Sequence, residues 1–183
     1  MAVILIMDVV DFSSRSNPEC RRIMQDLNDY VRYLLSNELR KAKKPREQLS
    51  IVTIPTGDGM AICFDRVSNE DDGLAALKCA FKIQLWARDL GFKMRFGIHT
   101  GAIEEIEDVN YCKNVSGYAI NMAQRIMDVG DGDHILCSVE MEATYFKKGS
   151  YGKAIEGIDI IKIGEHKVKH GISLNLCNIF GKL

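Results

Sequence analysis

Ile51-Val52-Thr53-Ile54-Pro55-Thr56-Gly57-Asp58-Gly59-Met60-Ala61-Ile62-Cys63-Phe64 is the stretch on which the fold turns. Two β-rich apolar runs flank a tight Pro-Thr-Gly-Asp-Gly turn, so the spacing predicts a hairpin with an acid at its tip. Gly57 and Gly59 can adopt φ > 0 and leave room for a partner close to the backbone. Asp58 is then a carboxylate on a rigid turn with open space before it. Asp-Gly is also the commonest hairpin dipeptide, and a plain turn former needs no further role.

Upstream, residues 3–7 form a continuous apolar run ending at Asp8, the pattern of a strand buried on both faces. An acid at the end of such a strand is costly unless something pairs with it. Asn17-Pro18-Glu19 reads as a helix start, with Asn17 as cap and an acid in the first turn. Ile23, Leu27, Tyr30, Val31, Leu34 and Leu35 continue an apolar stripe. Lys41, Lys43 and Lys44 gather before Pro45, where they complement the helix dipole.

Downstream, Asp71-Asp72-Gly73 opens a second helix with Leu74, Leu77, Phe81, Leu85 and Leu90 on one face, Trp86 beside them and Gly91 as terminator. Residues 94–100 alternate as a strand, and His99, with no second His nearby, reads as a hydrogen-bonded structural residue. Residues 102–109 form a short strand and turn whose acids are solvated. Ser116-Gly117-Tyr118 enters a third helix with Ile120, Ala123, Ile126 and Met127 facing inward. Asn121 and Arg125 lie one turn apart on the same side of it. A turn at 130–133, a strand at 134–138, a short helix at 139–146 and strands at 158–163 and 174–180 complete the order. That order is α+β, an antiparallel-rich sheet with helices packed on one side.

The 183 residues suit one domain spanning 1–183. A net charge of −1 and a pI near 6.4 argue against a general nucleic-acid binder or a protein of acidic membrane surfaces. No apolar run approaches the roughly 20 residues that span a bilayer, and residues 2–7 are too short for a signal peptide. The six cysteines include no Cys-x-x-Cys pair and mostly sit in apolar runs. The expectation is a soluble, reduced, cytoplasmic protein.

Three stretches together resemble the class III nucleotidyl cyclases, the adenylate and guanylate cyclase catalytic domains. Ile4-Leu5-Ile6-Met7-Asp8-Val9-Val10-Asp11-Phe12-Ser13 is similar to that family's first strand, which bears one metal carboxylate; Thr56-Gly57-Asp58 resembles the turn bearing the other. Gly117-Tyr118-Ala119-Ile120-Asn121-Met122-Ala123-Gln124-Arg125 matches the helix that supplies the transition-state Asn and Arg. Gly97-Ile98-His99-Thr100-Gly101 and Val168-Lys169-His170-Gly171 fit later segments. The resemblance covers nearly the whole chain in order and implies the ferredoxin-like class III cyclase fold.

It further implies catalysis by two Mg²⁺ or Mn²⁺ ions on Asp8, Asp58 and the Val9 carbonyl, all hard oxygen donors. Cyclisation is an in-line attack of the ribose 3′-oxygen on the α-phosphorus, with pyrophosphate leaving. Backbone N–H groups of Val10, Asp11, Phe12 and Ser13 are expected to cradle the phosphates. Arg125 is expected to neutralise the pentavalent phosphorus, Asn121 to hold the ribose and Lys169 to bind the triphosphate. Also implied is a head-to-tail homodimer whose sites draw metals from one chain and Asn and Arg from the other.

One departure bears on substrate. Where family members carry a purine-reading Lys or Glu, four residues before the second metal Asp, this chain has Ile54, which cannot hydrogen-bond a base edge. The second base-reading position falls on Asn114, or on Cys112 if two residues are inserted. A pocket lacking such a contact loses purine discrimination, so the expected substrate is a pyrimidine triphosphate, UTP before CTP. Arg95 reads as a surface salt-bridge former, with a base or phosphate contact as the alternative. In length and in the Pro-Thr-Gly-Asp-Gly turn the chain is similar to stand-alone bacterial cyclases that make cyclic UMP or cyclic CMP in antiphage (Pycsar) signalling.

Overall fold

The computed structural model describes residues 1–41, 50–65, 72–146 and 157–181. Asp71, Lys43 and Lys44, named above at helix ends, lie outside them. The hairpin forms as its sequence demands: β2 (Ser50–Pro55) turns into β3 (Gly59–Asp65), with Ile54 opposite Ala61. β1 (Ala2–Val9), buried along its whole length, pairs antiparallel with β3 on one side and with β4 (Met94–Gly101) on the other. β7 (Ile135–Ser138) joins β4 in parallel, and β9 (Ile172–Gly181) and β8 (Ile158–Val168) complete a seven-stranded sheet of order β2-β3-β1-β4-β7-β9-β8. β5 (Glu104–Glu107) and β6 (Lys113–Ser116) form a separate two-stranded ribbon.

Strand alternation sends side chains of β1 to two different cores. Val3, Leu5, Met7 and Val9 pack with α1 (Asn17–Lys41) and α2 (Asp72–Asp89), together with α4 (Val139–Met141) and its π-turn at Glu142–Phe146. Ala2, Ile4 and Ile6 pack on the opposite face with Val115 of β6 and with Ala119, Ala123 and Met127 of α3 (Tyr118–Val129). Helices therefore cover both faces of the sheet, not one. The second cover is possible because β4 presents glycine under α3: a Cβ at Gly97 would stand 2.3 Å from the Ala123 carbonyl oxygen.

Two further expectations shift. The cap of α1 is Ser16 rather than Asn17: the Ser16 hydroxyl and N–H both donate to the Glu19 carboxylate, and the Ser16 carbonyl accepts the first helical bond from Cys20. Ser-x-x-Glu is a capping box. Leu77 and Phe81 are buried as expected, but Leu85 lies on the outside of α2 and Leu90 is exposed just past its end, and Ala75, Ala76, Ala80, Ile83 and Ala87 complete the buried surface. Its small residues let the helix sit close to β1 while also touching α1. Trp86 stacks on Tyr30 with centroids 5.0 Å apart and meets Phe92 edge-on, so it packs within the protein. Gly91, at φ 82°, closes α2 as expected. Among the described residues no helix is long and apolar enough to cross a membrane.

Candidate active site

The site is built where the buried part of β1 runs out. Asp8 is the next position after Ile4 and Ile6 on the α3 face, and it lies opposite Gly59 of β3 and Arg95 of β4. Only 7% of Asp8 is exposed, so its charge demands a partner. Arg95 supplies one as a fork: Nε donates to Oδ1 at 2.9 Å and Nη2 donates to Oδ2. This bidentate bond raises the Arg95 pKa, against burial and with help from the nearby Asp128 and Asp58 charges.

Asp58 is brought to the same place by the hairpin. Its carbonyl accepts the Val9 N–H at 2.9 Å, which ties the turn to the residue after Asp8. The two aspartates expected to share cations thus sit at one end of neighbouring strands. Close strand approach requires Gly59, where a Cβ would stand 1.9 Å from the Met7 carbonyl oxygen. Ile54, Ala61 and Ile6 form the row just behind Asp8 on the same face. Ile54 is partly buried and packs in that cluster, and its side chain carries no hydrogen-bonding group.

After Val9 the chain enters a tight turn with Asp11 in the left-handed region at φ 55°, then a single 3₁₀ turn over Phe12–Ser14. The Val10 N–H is already committed to the Lys93 carbonyl at 3.0 Å, so the expected anion cradle is shortened to the N–H groups of residues 11–13. Arg15, which sequence reasoning passed over, follows this turn with its Nε buried and without a hydrogen-bond partner among the described residues. An orphaned cationic donor beside a backbone cradle suits an anion.

Asn121 and Arg125 lie outside the buried face of α3, and Asp128 near its C-terminal end sits close enough to Arg95 of β4 to act on its charge. Arg125 donates only to the Met122 sulfur at 3.8 Å and has no carboxylate partner among the described residues. Lys169, in the turn between β8 and β9, reaches the Asp128 carboxylate at 3.5 Å, a largely exposed pair of small energetic weight. The structure thus gathers the expected site residues into two sets. Asp8, Val9, Asp58, Ile54 and residues 10–13 form one; Asn121, Arg125 and Lys169 form the other, on α3 and the strand turn beside it. No hydrogen bond joins the sets among the described residues.

Asn114 stands on β6 opposite Ile106, with its Oδ1 accepting the Val115 N–H at 2.7 Å. Its amide NH₂ has no acceptor among the described residues. Cys112 lies in the exposed tip of the β5–β6 ribbon, its thiol toward the Asn110 carbonyl. Glu105 of that ribbon pairs with Lys113 at 2.7 Å, so this acid is not simply solvated.

As cation ligands, Asp8 and Asp58 fit in chemistry: two hard carboxylates, one near the end of β1 and one in the turn before β3, the first already holding a positive group. Among the described residues no cluster of three or more His, Cys, Asp and Glu closes into a metal site. His99 is structural, its Nδ1 2.9 Å from the buried Ser138 hydroxyl that also caps α4. Burial pushes the His99 pKa down, with Glu140 opposing weakly. The folded chain then holds fewer protons than the unfolded one, so this contribution to stability is full above the unfolded histidine pKa of about 6.5 and is lost as pH falls below it. The melting temperature is expected to drop between pH 7.5 and 5.5, and His99→Gln is expected to flatten that drop. Glu19, held down by its bonds to Ser16, acts only in a lower window, below its usual 4.5.

No protein-family model and no curated protein matches the sequence. Solved structures do match the fold. The catalytic core of a rhodopsin-guanylyl cyclase with converted specificity, in complex with ATPαS, superimposes with a TM-score of 0.76 at 13% identity, covering 100% of this chain and 96% of that one. The guanylate cyclase domain of RhGC from Catenaria anguillulae, in complex with GTP, gives 0.70 at 14% identity over 100% and 97%. The adenylyl cyclase CyaB from P. aeruginosa gives 0.69 at 17% identity over 100% and 94%. The chain has the α+β fold of the class III adenylyl and guanylyl cyclase catalytic domains.

Proposed function

We propose that a protein with this fold and these two sets of residues is a nucleotidyl cyclase, converting a nucleoside triphosphate to its 3′,5′-cyclic nucleotide and pyrophosphate. The observation that carries the reading is the convergence of Asp8 and Asp58 on adjoining strand ends, beside a turn with backbone N–H groups to spare. Asp8, Asp58 and the Val9 carbonyl would hold two Mg²⁺ or Mn²⁺ ions, which supply activation of the 3′-oxygen and charge neutralisation when bound. The N–H groups of residues 11–13 bind the β- and γ-phosphates, and Arg15 adds charge behind them.

We infer that the working site is shared between two chains. Asn121 and Arg125 lie outside the buried face of α3, which leaves them available to a partner's aspartates in a head-to-tail homodimer. Asn121 then orients the ribose, Arg125 offsets charge on the phosphorus and Lys169 exchanges Asp128 for the triphosphate. The substrate we infer is UTP. Ile54 offers a base edge nothing to bond, and the free donor of Asn114 suits the O4 of uracil better than the N4 amine of cytosine. CTP is next. ATP or GTP is the second reading, favoured by the structural neighbours that hold ATPαS and GTP. The role that follows from the likeness to stand-alone pyrimidine cyclases is second-messenger synthesis in the cytoplasm during antiphage defence.

Incubating the purified protein with each of the four ribonucleoside triphosphates and Mn²⁺, then weighing the products by mass spectrometry, tests this. Cyclic UMP in excess is the expected product. A cyclic purine as main product transfers the assignment to the second reading, and no cyclic product from any of the four refutes turnover altogether.

A further inference from the structure

Asp8 is buried, and both of its carboxylate oxygens are taken by one guanidinium. The geometry points to Arg95 as a built-in stand-in for the divalent cation: it occupies Asp8 when no nucleotide is bound and must leave before an ion can use that carboxylate. The inference rests on the reading of Asp8 as a cation ligand and adds to it a lock.

The physical argument is one of competition. Arg95 emerges from β4 directly opposite Asp8 in register, so the fork forms without reaching across the site. A hard cation chelated by the carboxylate competes for the inward lone pairs that the two N–H donors use, leaving only the outer pair of each oxygen. A retained guanidinium would also place a positive charge within a few ångströms of the incoming ion. Asp58 and Asp128 both lie near enough to favour the charged Arg95, so it sits among carboxylates rather than serving one alone. Its side chain is 29% exposed, which gives the long stem an outward path. In the proposed function the one other partner of matching chemistry is the triphosphate bound to residues 11–13. Ion and triphosphate therefore bind cooperatively: the ion releases Arg95, and the phosphates receive it. Reciprocity requires each to tighten the other equally. The free chain meanwhile keeps its buried acid neutralised and collects divalent ions poorly.

Mn²⁺ binding to the full-length, nucleotide-free protein, read by water-proton relaxation, tests the lock. Arg95→Met is expected to bind Mn²⁺ about tenfold more tightly than the natural chain, which corresponds to about 1.4 kcal/mol. Arg95→Lys, which keeps the charge but loses the fork, is expected to fall between them; it decides the matter if Arg95→Met fails to fold. A role confined to holding the fold would leave Mn²⁺ affinity unchanged or weaken it. Equal or weaker binding by both variants, with Mn²⁺ still bound, overturns the lock alone. If neither the natural chain nor the variants bind Mn²⁺, even with UTP or ATP present, the cation-site reading itself falls and the lock with it.

Discussion

Asp8→Asn is expected to lower cyclase turnover by about 10³-fold or more, because it leaves one carboxylate where two-metal chemistry needs a pair. Asparagine keeps the shape and can still accept from Arg95, so the fold should survive; an unchanged melting profile would show that the loss is chemical. Arg125→Ala is expected to lose about 10²–10³-fold on its own. The two defects lie in different sets of residues, which gives the prediction its force. Mixed in equal amounts after subunit exchange, half the dimers contain one chain of each kind, and each such dimer has one intact site of two. About one quarter of the natural activity should return if exchange is random. Mixtures as dead as their components would mean that the sets are not shared between chains.

Gly59→Val is expected to be the most damaging substitution for stability, costing about 3 kcal/mol or more in urea unfolding. Gly59 pairs with Asp8 across the sheet, and a Cβ there would fall inside the Met7 carbonyl and 2.7 Å from the Asp8 Cα. Both obstacles are backbone, so no side-chain rotation can relieve them. β3 would have to leave β1 at the point where the two aspartates meet. Gly57→Ala is the informative contrast. Nothing lies within 4 Å of its added methyl, and only the strained φ of 97° counts against it. The expected cost there is about 1 kcal/mol. Similar losses at the two positions would mean that strand approach at Gly59 is not the constraint.

Sheet, hairpin and helices were legible because their signals are local. The apolar run of β1 and the Thr-Gly-Asp-Gly turn fix strand and hairpin within a few residues, and Gly91 stops α2 where its φ requires. The placement of α3 was not legible. A continuous apolar run such as β1 says that both faces are buried but not by what, and the key lies in Gly97 of β4, whose missing Cβ matters only once Ala123 is above it. Leu85 and Leu90 misled for a related reason: helical periodicity counts large apolar residues, whereas α2 packs through alanines. The cap at Ser16 was written in the Ser-x-x-Glu spacing and was overlooked because Pro18 drew the helix start one residue late.

At the site, the alternation of β1 puts Asp8 on the α3 face, and pairing with β3 and β4 then brings Asp58 and Arg95 to it. The first two residues carried a sequence signal. Arg95 carried only a weak one, since nothing in its own neighbourhood names a partner 87 residues away. Arg15 carried none, because an unpaired buried Nε is visible only in three dimensions.

The measurement that meets the central claim head-on is anomalous scattering from crystals grown with Mn²⁺ and a non-cyclisable UTP analogue. The account requires manganese peaks bound by the carboxylates of Asp8 and Asp58, with the triphosphate against residues 11–13 and Asn121 and Arg125 arriving from a second chain. Nucleotide bound elsewhere, or bound there with no manganese on either aspartate, would contradict it.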